Sequence, residues 1–95
     1  MSGTKDNLDA LYDALAALTD PADVKALLAD LCTAGETEQM ACRLRAAMLL
    51  LDGKTYSQIT EETDISSATL SRVSNCVRRG SGGYSKVWQN IHGED

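Results

Sequence analysis

The stretch from Thr55 to Arg79 restricts the fold more than any other part of the sequence. It predicts two short helices joined by a tight turn. Its apolar side chains recur where one side of each helix and the corner between them would be buried. These residues are Ile59, Ile65, Leu70, Val73 and Val77. The pattern predicts a helix-turn-helix over about residues 55–79. An ordinary helical hairpin on the surface of a small bundle is the alternative.

Local signals mark the ends of both predicted helices. Thr55, with Gln58 three residues later, forms a capping box, and Ser66 can cap the second helix. Asp64 occupies the corner, where this motif usually has glycine. Aspartate is one of the few other residues that tolerate a left-handed backbone, so we expect that conformation at Asp64.

The side of the second helix opposite its apolar stripe carries short hydroxyl side chains and arginines. Short hydroxyls can donate to phosphates or meet base edges, and arginine adds a planar, permanently charged fork. We expect phosphate or base contacts from Thr55, Ser57, Ser66, Ser67, Ala68, Thr69, Ser71, Arg72, Arg78, Arg79 and Lys86. Within that set, Ser67, Ala68, Thr69 and Ser71 would approach base edges.

Charge is divided unevenly along the chain, whose formal net charge is −5. Residues 1–41 carry eight acidic and two basic side chains, whereas residues 65–86 carry four bases and no acid. A polyanion responds to the local patch, because charges beyond about 10 Å are largely screened at 0.1 M salt. The basic segment therefore suits nucleic acid. The acidic part would either weaken nonspecific binding or form a solvated surface.

The remaining sequence predicts four further helices, three before the motif and one after the glycine-rich residues 80–83. The second helix would open at Asp20, and the third at a capping box formed by Thr33 and Glu36. The expected limits are a disordered segment at 1–6, one all-α domain over 7–92 and a disordered tail at 93–95.

The third helix, which contains the run QMACRLRAAMLLLD, has apolar side chains on more than one face. Such a helix must be covered on several sides, and a chain of 95 residues has a small core of its own. We therefore expect a symmetric homodimer, with packing by other helices of the same chain as the alternative.

The longest unbroken apolar run, residues 46–51, is too short to span a membrane, and the start of the chain lacks a signal-peptide apolar region. We expect a cytoplasmic protein with no membrane partner. The sequence predicts no metal site and no cofactor, because the spacing of Cys32, Cys42, Cys76 and the single histidine fits no zinc pattern. It also predicts no enzymatic activity, because no Asp or Asn motif supports a Cys/His nucleophile pair. The thiols should be free and buried. That histidine, His92, falls in a tail expected to fray.

The run from Thr33 through Arg79 resembles the Trp repressor family, and most closely its Trp repressor-related YerC/YecD branch. The matching features are the T-x-x-E cap, the helix CRLRAAMLLLDG and the segment SATLSRVSN. The resemblance implies a six-helix fold and an intertwined dimer with one helix-turn-helix per subunit. It also implies a transcriptional regulator that reads a palindromic operator.

The same resemblance implies an effector pocket. In tryptophan-responsive members, residues corresponding to Thr33, Arg43 and Arg72 help hold the amino acid. This chain has Val73 where those members have glycine, and Cys76 where they have serine. A β-branched side chain there would occupy volume that the indole needs, so we expect no response to tryptophan. The arginines would instead bind another anion, contact DNA or form surface salt bridges.

These features together predict a sequence-specific DNA-binding regulator, a repressor by the resemblance, that binds double-stranded DNA as a homodimer. The alternative is a helical dimeric interaction module whose acidic first half docks onto a basic partner and which does not bind DNA. Gel filtration with and without a duplex would distinguish these two functions, because an interaction module would not bind the duplex.

Overall fold

A computed structural model describes residues 3–93, which form six α-helices and no strand. The helices are α1 (Gly3–Ala17), α2 (Pro21–Leu31), α3 (Ala34–Leu51), α4 (Tyr56–Thr63), α5 (Ser67–Arg79) and α6 (Gly83–His92). The predicted all-α class and helix order are confirmed. None of these six helices is both long enough and apolar enough to cross a membrane.

The first helix starts earlier than the sequence indicates. α1 begins at Gly3, inside the segment 1–6 that the sequence predicts to be disordered. A salt bridge of 3.2 Å between Lys5 and Asp9, one helical turn apart, supports this start. Residues 1–2 and 94–95, which belong to the two predicted disordered ends, lie outside the described residues.

The chain divides into two compact units, the first ending at Thr37 and the second beginning at Glu38, where the sequence predicts one domain. In the first unit, Asp20 caps α2 as predicted, because its side chain accepts from the Ala22 N–H at 2.9 Å. No residue of α1 or α2 is buried. Large apolar side chains such as Tyr12, which is 57% exposed, therefore have little cover within this chain.

Both ends of α3 match the sequence signals. The Thr33 N–H donates to Glu36 Oε1 at 2.8 Å, and the Glu36 N–H donates to Thr33 Oγ1 at 3.1 Å. This reciprocal pair is the predicted capping box. After Leu51 the chain leaves the helix through Gly53, whose positive φ of 90° is readily adopted by glycine.

The core of the second unit is small and lies mainly behind the helix-turn-helix. Its buried apolar residues are Ala46, Ala47, Ile59, Ile65, Leu70 and Val73. α4 packs against α5, and α5 packs against α6. The predicted inward positions of the motif are confirmed, except that Val77 is only partly buried at the edge of this cluster.

The histidine expected in a frayed tail is ordered in a helix. His92 is the last residue of α6, and its Nδ1 lies 2.9 Å from the carbonyl oxygen of Trp88. The two rings also stack, with their centroids 4.2 Å apart. The expectation of fraying at His92 is therefore wrong, because ring stacking and a local hydrogen bond hold the side chain.

Candidate nucleic-acid interface

Both helices of the motif begin at the predicted caps. The Gln58 N–H donates to Thr55 Oγ1 at 3.1 Å, and the Thr55 N–H donates to Gln58 Oε1 at 2.9 Å. At the start of α5, the Thr69 N–H donates to Ser66 Oγ at 3.2 Å. Side-chain oxygens thus satisfy backbone donors that the first turn of a helix leaves without a partner.

The corner between α4 and α5 is built around one left-handed residue and one buried side chain. Asp64 has φ 59° and ψ 16°, as predicted, and its N–H donates to the Thr60 carbonyl oxygen at 3.1 Å. Ile65 follows directly and is buried in the core. The left-handed turn and the buried anchor together fix the direction in which α5 leaves the corner.

The side of α5 that faces away from the core is polar, exposed and free of acidic residues. The exposed residues are Ser67, Ala68, Ser71, Arg72, Asn75, Cys76, Arg78 and Arg79, with Thr69 half-buried. Thr55, Ser57, Ser66 and Lys86 are exposed as well. All the predicted contact residues except the half-buried Thr69 are therefore exposed to solvent.

The hydroxyl groups of this surface differ in what they already bind. Ser66 Oγ donates to Thr69 Oγ1 at 2.9 Å, in addition to capping α5. The hydroxyls of Ser67 and Ser71 make no hydrogen bond within residues 3–93. Ser67 and Ser71 are therefore better placed to meet a new partner, whereas Ser66 would have to release Thr69.

One residue of α5 was not predicted from the sequence. Ser74 is only 4% exposed, and it is the one polar side chain buried within residues 3–93. Its Oγ accepts a hydrogen bond of 3.0 Å from Arg78 Nη1. A serine four residues before an arginine on one helix is the sequence signal for such a pair, because residues four apart are neighbours on a helix surface.

A cavity of about 400 Å³ lies beside the corner, and Arg43 of α3 and Arg72 of α5 both line it. Its other lining residues are Gln39, Cys42, Asp64, Ile65, Ser66 and Thr69. Most of these side chains can donate or accept hydrogen bonds. Two guanidinium groups against one carboxylate give the cavity a positive character.

The five residues of the expected effector pocket do not all share this cavity. Val73 is 2% exposed and belongs to the core. Cys76 is exposed rather than buried, and borders a separate depression of about 240 Å³ formed with residues 80–84. Thr33 belongs to the first unit, where it caps α3. Of the five expected residues, only Arg43 and Arg72 line the cavity.

The three cysteines form no disulfide, and Cys42 Sγ donates to the Thr63 carbonyl oxygen at 3.5 Å. Across residues 3–93, no three histidine, cysteine or acidic side chains cluster in a way that would hold a metal ion. The chemically distinctive surface of the second unit is therefore the exposed side of α5 with the neighbouring cavity.

The amino-acid sequence is similar to known proteins over most of its length. Residues 6–92 match the family model described as Trp repressor protein. The uncharacterised protein YerC of Bacillus subtilis (strain 168) is 39% identical over 84 residues, which cover 88% of this chain and 81% of YerC.

Two solved structures have the same fold. A candidate Trp repressor from Staphylococcus aureus superposes with a TM-score of 0.87 at 31% identity, covering 94% of this chain and 89% of that chain. A TrpR-like protein from Eubacterium eligens ATCC 27750 superposes with a TM-score of 0.87 at 29% identity, covering 95% and 93%. The predicted resemblance is thus confirmed in both sequence and fold.

Proposed function

This chain belongs to the Trp repressor family, and from that premise we propose that it is a sequence-specific DNA-binding transcriptional repressor. The observation that carries the proposal is the exposed side of α5, which has hydroxyls and arginines and no acid. That helix is held from behind by Leu70 and Val73, which are buried in the core. A rigidly supported helix with such a surface suits the major groove.

The contacts divide by chemistry. Ser67, Ala68, Thr69 and Ser71 lie in the first turns of α5 and approach base edges, since that end of a recognition helix enters the groove. The phosphate contacts come from Thr55, Ser57, Ser66, Arg72, Arg78, Arg79 and Lys86. Phosphate contacts fix the position of a protein on the duplex, and contacts to base edges supply the specificity.

The active form is a homodimer. None of the residues in α1 and α2 is buried, and the apolar side chains of Leu8, Tyr12 and Leu31 on these helices are exposed. Exposed apolar side chains in this number favour an interface, and a second copy would cover the same surface on both subunits. Two α5 helices about 34 Å apart would then enter successive major grooves on one face of a palindromic operator. Such a regulator would act on DNA in the cytoplasm.

Binding to DNA is tested by selecting duplexes from a random pool and then running gel filtration with the selected duplex at low and moderate salt. We expect a complex of one dimer per duplex, with weaker binding at the higher salt concentration. If the protein ignores DNA even at low salt, the proposal fails. The alternative, an interaction module with an acidic docking surface, would then be favoured.

The cavity beside the corner supports a second role, the sensing of a small anion. Arg43 and Arg72 can bind a carboxylate or phosphate there, because both guanidinium groups line the cavity. A thermal-shift screen with tryptophan, phosphate and dicarboxylates tests this role. A ligand at 100 times its dissociation constant adds about 2.7 kcal/mol to the unfolding free energy. The Arg43→Ala variant should lose that response.

A further inference from the structure

The buried hydroxyl of Ser74 has a side-chain partner one turn later on the same helix. A serine inside a helix commonly bonds back to a backbone carbonyl of the preceding turn. Here the Oγ of Ser74 accepts instead from Arg78 Nη1 at 3.0 Å. Because Ser74 is only 4% exposed, leaving its hydroxyl without a hydrogen-bond partner would cost free energy, and this cost favours the bond to Arg78.

The attachment leaves Arg78 able to bind something else. A guanidinium has five N–H donors in a planar fork, and the Ser74 bond uses one of them. Arg78 is exposed as a residue and makes no second side-chain hydrogen bond within residues 3–93, so its other donors have no protein partner there. An arginine held in this way loses less rotamer freedom when it binds a phosphate than an arginine that moves freely.

We propose that Ser74 is a positioning residue for DNA binding, which orients the Arg78 guanidinium before the duplex arrives. The inference rests on the proposed function, because it takes a DNA phosphate as the partner of Arg78. Ser74 itself does not touch DNA. It acts through the hydrogen bond that its Oγ accepts from Arg78 Nη1.

The competing explanation is that the bond only satisfies a buried hydroxyl. In that case Ser74 would affect folding stability and not the affinity for DNA. Arg79, in the same helical turn, is the natural comparison, because its side chain makes no hydrogen bond within residues 3–93. An effect that passes through Arg78 must disappear when Arg78 is removed and must persist when Arg79 is removed.

The test is a double-mutant cycle on the full chain, with dissociation constants measured for a selected duplex. We expect Ser74→Ala to weaken binding by about two- to tenfold, which is the range for ordering one long side chain. In an Arg78→Ala background the same change should have almost no effect, whereas in an Arg79→Ala background it should keep its full effect. Ser85→Ala on α6 serves as the matched control and should leave affinity unchanged.

A second measurement does not depend on DNA. NMR relaxation of the arginine side-chain Nε groups in the free protein should show faster or wider motion of Arg78 after Ser74→Ala, with Arg79 unchanged. Thermal unfolding of each variant establishes that it is folded.

The inference is overturned if Ser74→Ala lowers the affinity for DNA equally in the wild-type and Arg78→Ala backgrounds. It is also overturned if Ser74→Ala leaves the NMR relaxation of the Arg78 Nε group unchanged. If Arg78→Ala and Ser74→Ala both leave binding intact while the wild type binds DNA, the positioning role fails and the proposed function stands. If the wild type binds no duplex, both fail.

Discussion

The indole Nε1–H of Trp88 donates a hydrogen bond of 2.8 Å to Asp52 Oδ1, and so joins α6 to the residue that follows α3. His92 Nε2 lies 3.5 Å from the same carboxylate oxygen. Trp88 is half-buried, so its ring is partly removed from solvent. The structure uses its polar N–H as well, which is the group that makes tryptophan suitable for the boundary between core and solvent.

Replacing Trp88 by phenylalanine tests this contact. The ring stays aromatic but loses its donor, so Asp52 would keep only the more distant His92 beside it. We expect the unfolding free energy to fall by at least about 1 kcal/mol, the usual net value of one hydrogen bond, because the smaller ring also stacks less on His92. Urea denaturation followed by circular dichroism measures it. Tyr56→Phe, at an exposed tyrosine without a hydrogen bond, is the control, and equal stability of the two variants would argue against the contact.

The left-handed corner makes a second prediction. Alanine adopts the left-handed φ of 59° less readily than aspartate, so Asp64→Ala should lower the unfolding free energy by about 1 kcal/mol. Asp64→Gly should not, because glycine adopts this conformation freely. Thermal unfolding of both variants gives the order of stability. The control is Glu61→Ala, at an exposed position in α4, which should change stability little. If Asp64→Ala changed stability as little as Glu61→Ala, that result would contradict the strain argument.

Whether a feature could be predicted from the sequence depends on how far apart in the chain the residues that determine it lie. The caps at Thr33, Thr55 and Ser66 depend on residues within one turn, and the structure confirms all three. The inward stripe of the motif also depends on local periodicity. Such features can be read directly because helix geometry fixes which neighbours meet.

Features that depend on tertiary packing could not be read in the same way. The Trp88–Asp52 bond joins residues 36 positions apart, and its existence depends on how α6 packs within the second unit. Val73 appears in the sequence both as a stripe residue and as a candidate for the effector pocket. The structure places it in the core, because the stripe of α5 that it shares with Leu70 faces inward.

The two glycines that flank the loop before α6 should respond differently to alanine. A Cβ at Gly80 would lie 2.5 Å from the Cys76 carbonyl oxygen, which is backbone and cannot move without distorting α5. We expect Gly80→Ala to lower the unfolding free energy by about 1–3 kcal/mol, the usual cost of overpacking. At Gly83 the nearest atom would be Ser81 Oγ at 4.0 Å, so Gly83→Ala should be neutral or slightly stabilising. Chemical denaturation compares them, and equal effects would rule out steric crowding as the cause.

The last turn of α5 ends in Arg78 and Arg79, and their joint replacement by alanine should weaken binding to every duplex sequence, because phosphate contacts carry no sequence information. The slope of log affinity against log salt should become shallower by about 0.9 for each phosphate that the variant no longer neutralises.

The two arginines also lie favourably at the negative end of the helix, so thermal unfolding must be followed in parallel to separate a change in stability from a change in binding. The control is Lys25→Ala, which removes one positive charge from the acidic first unit and should leave the salt slope unchanged. An unaltered slope in the double variant would assign the phosphate contacts to other residues, whereas weaker binding confined to one duplex sequence would make these arginines readers of bases.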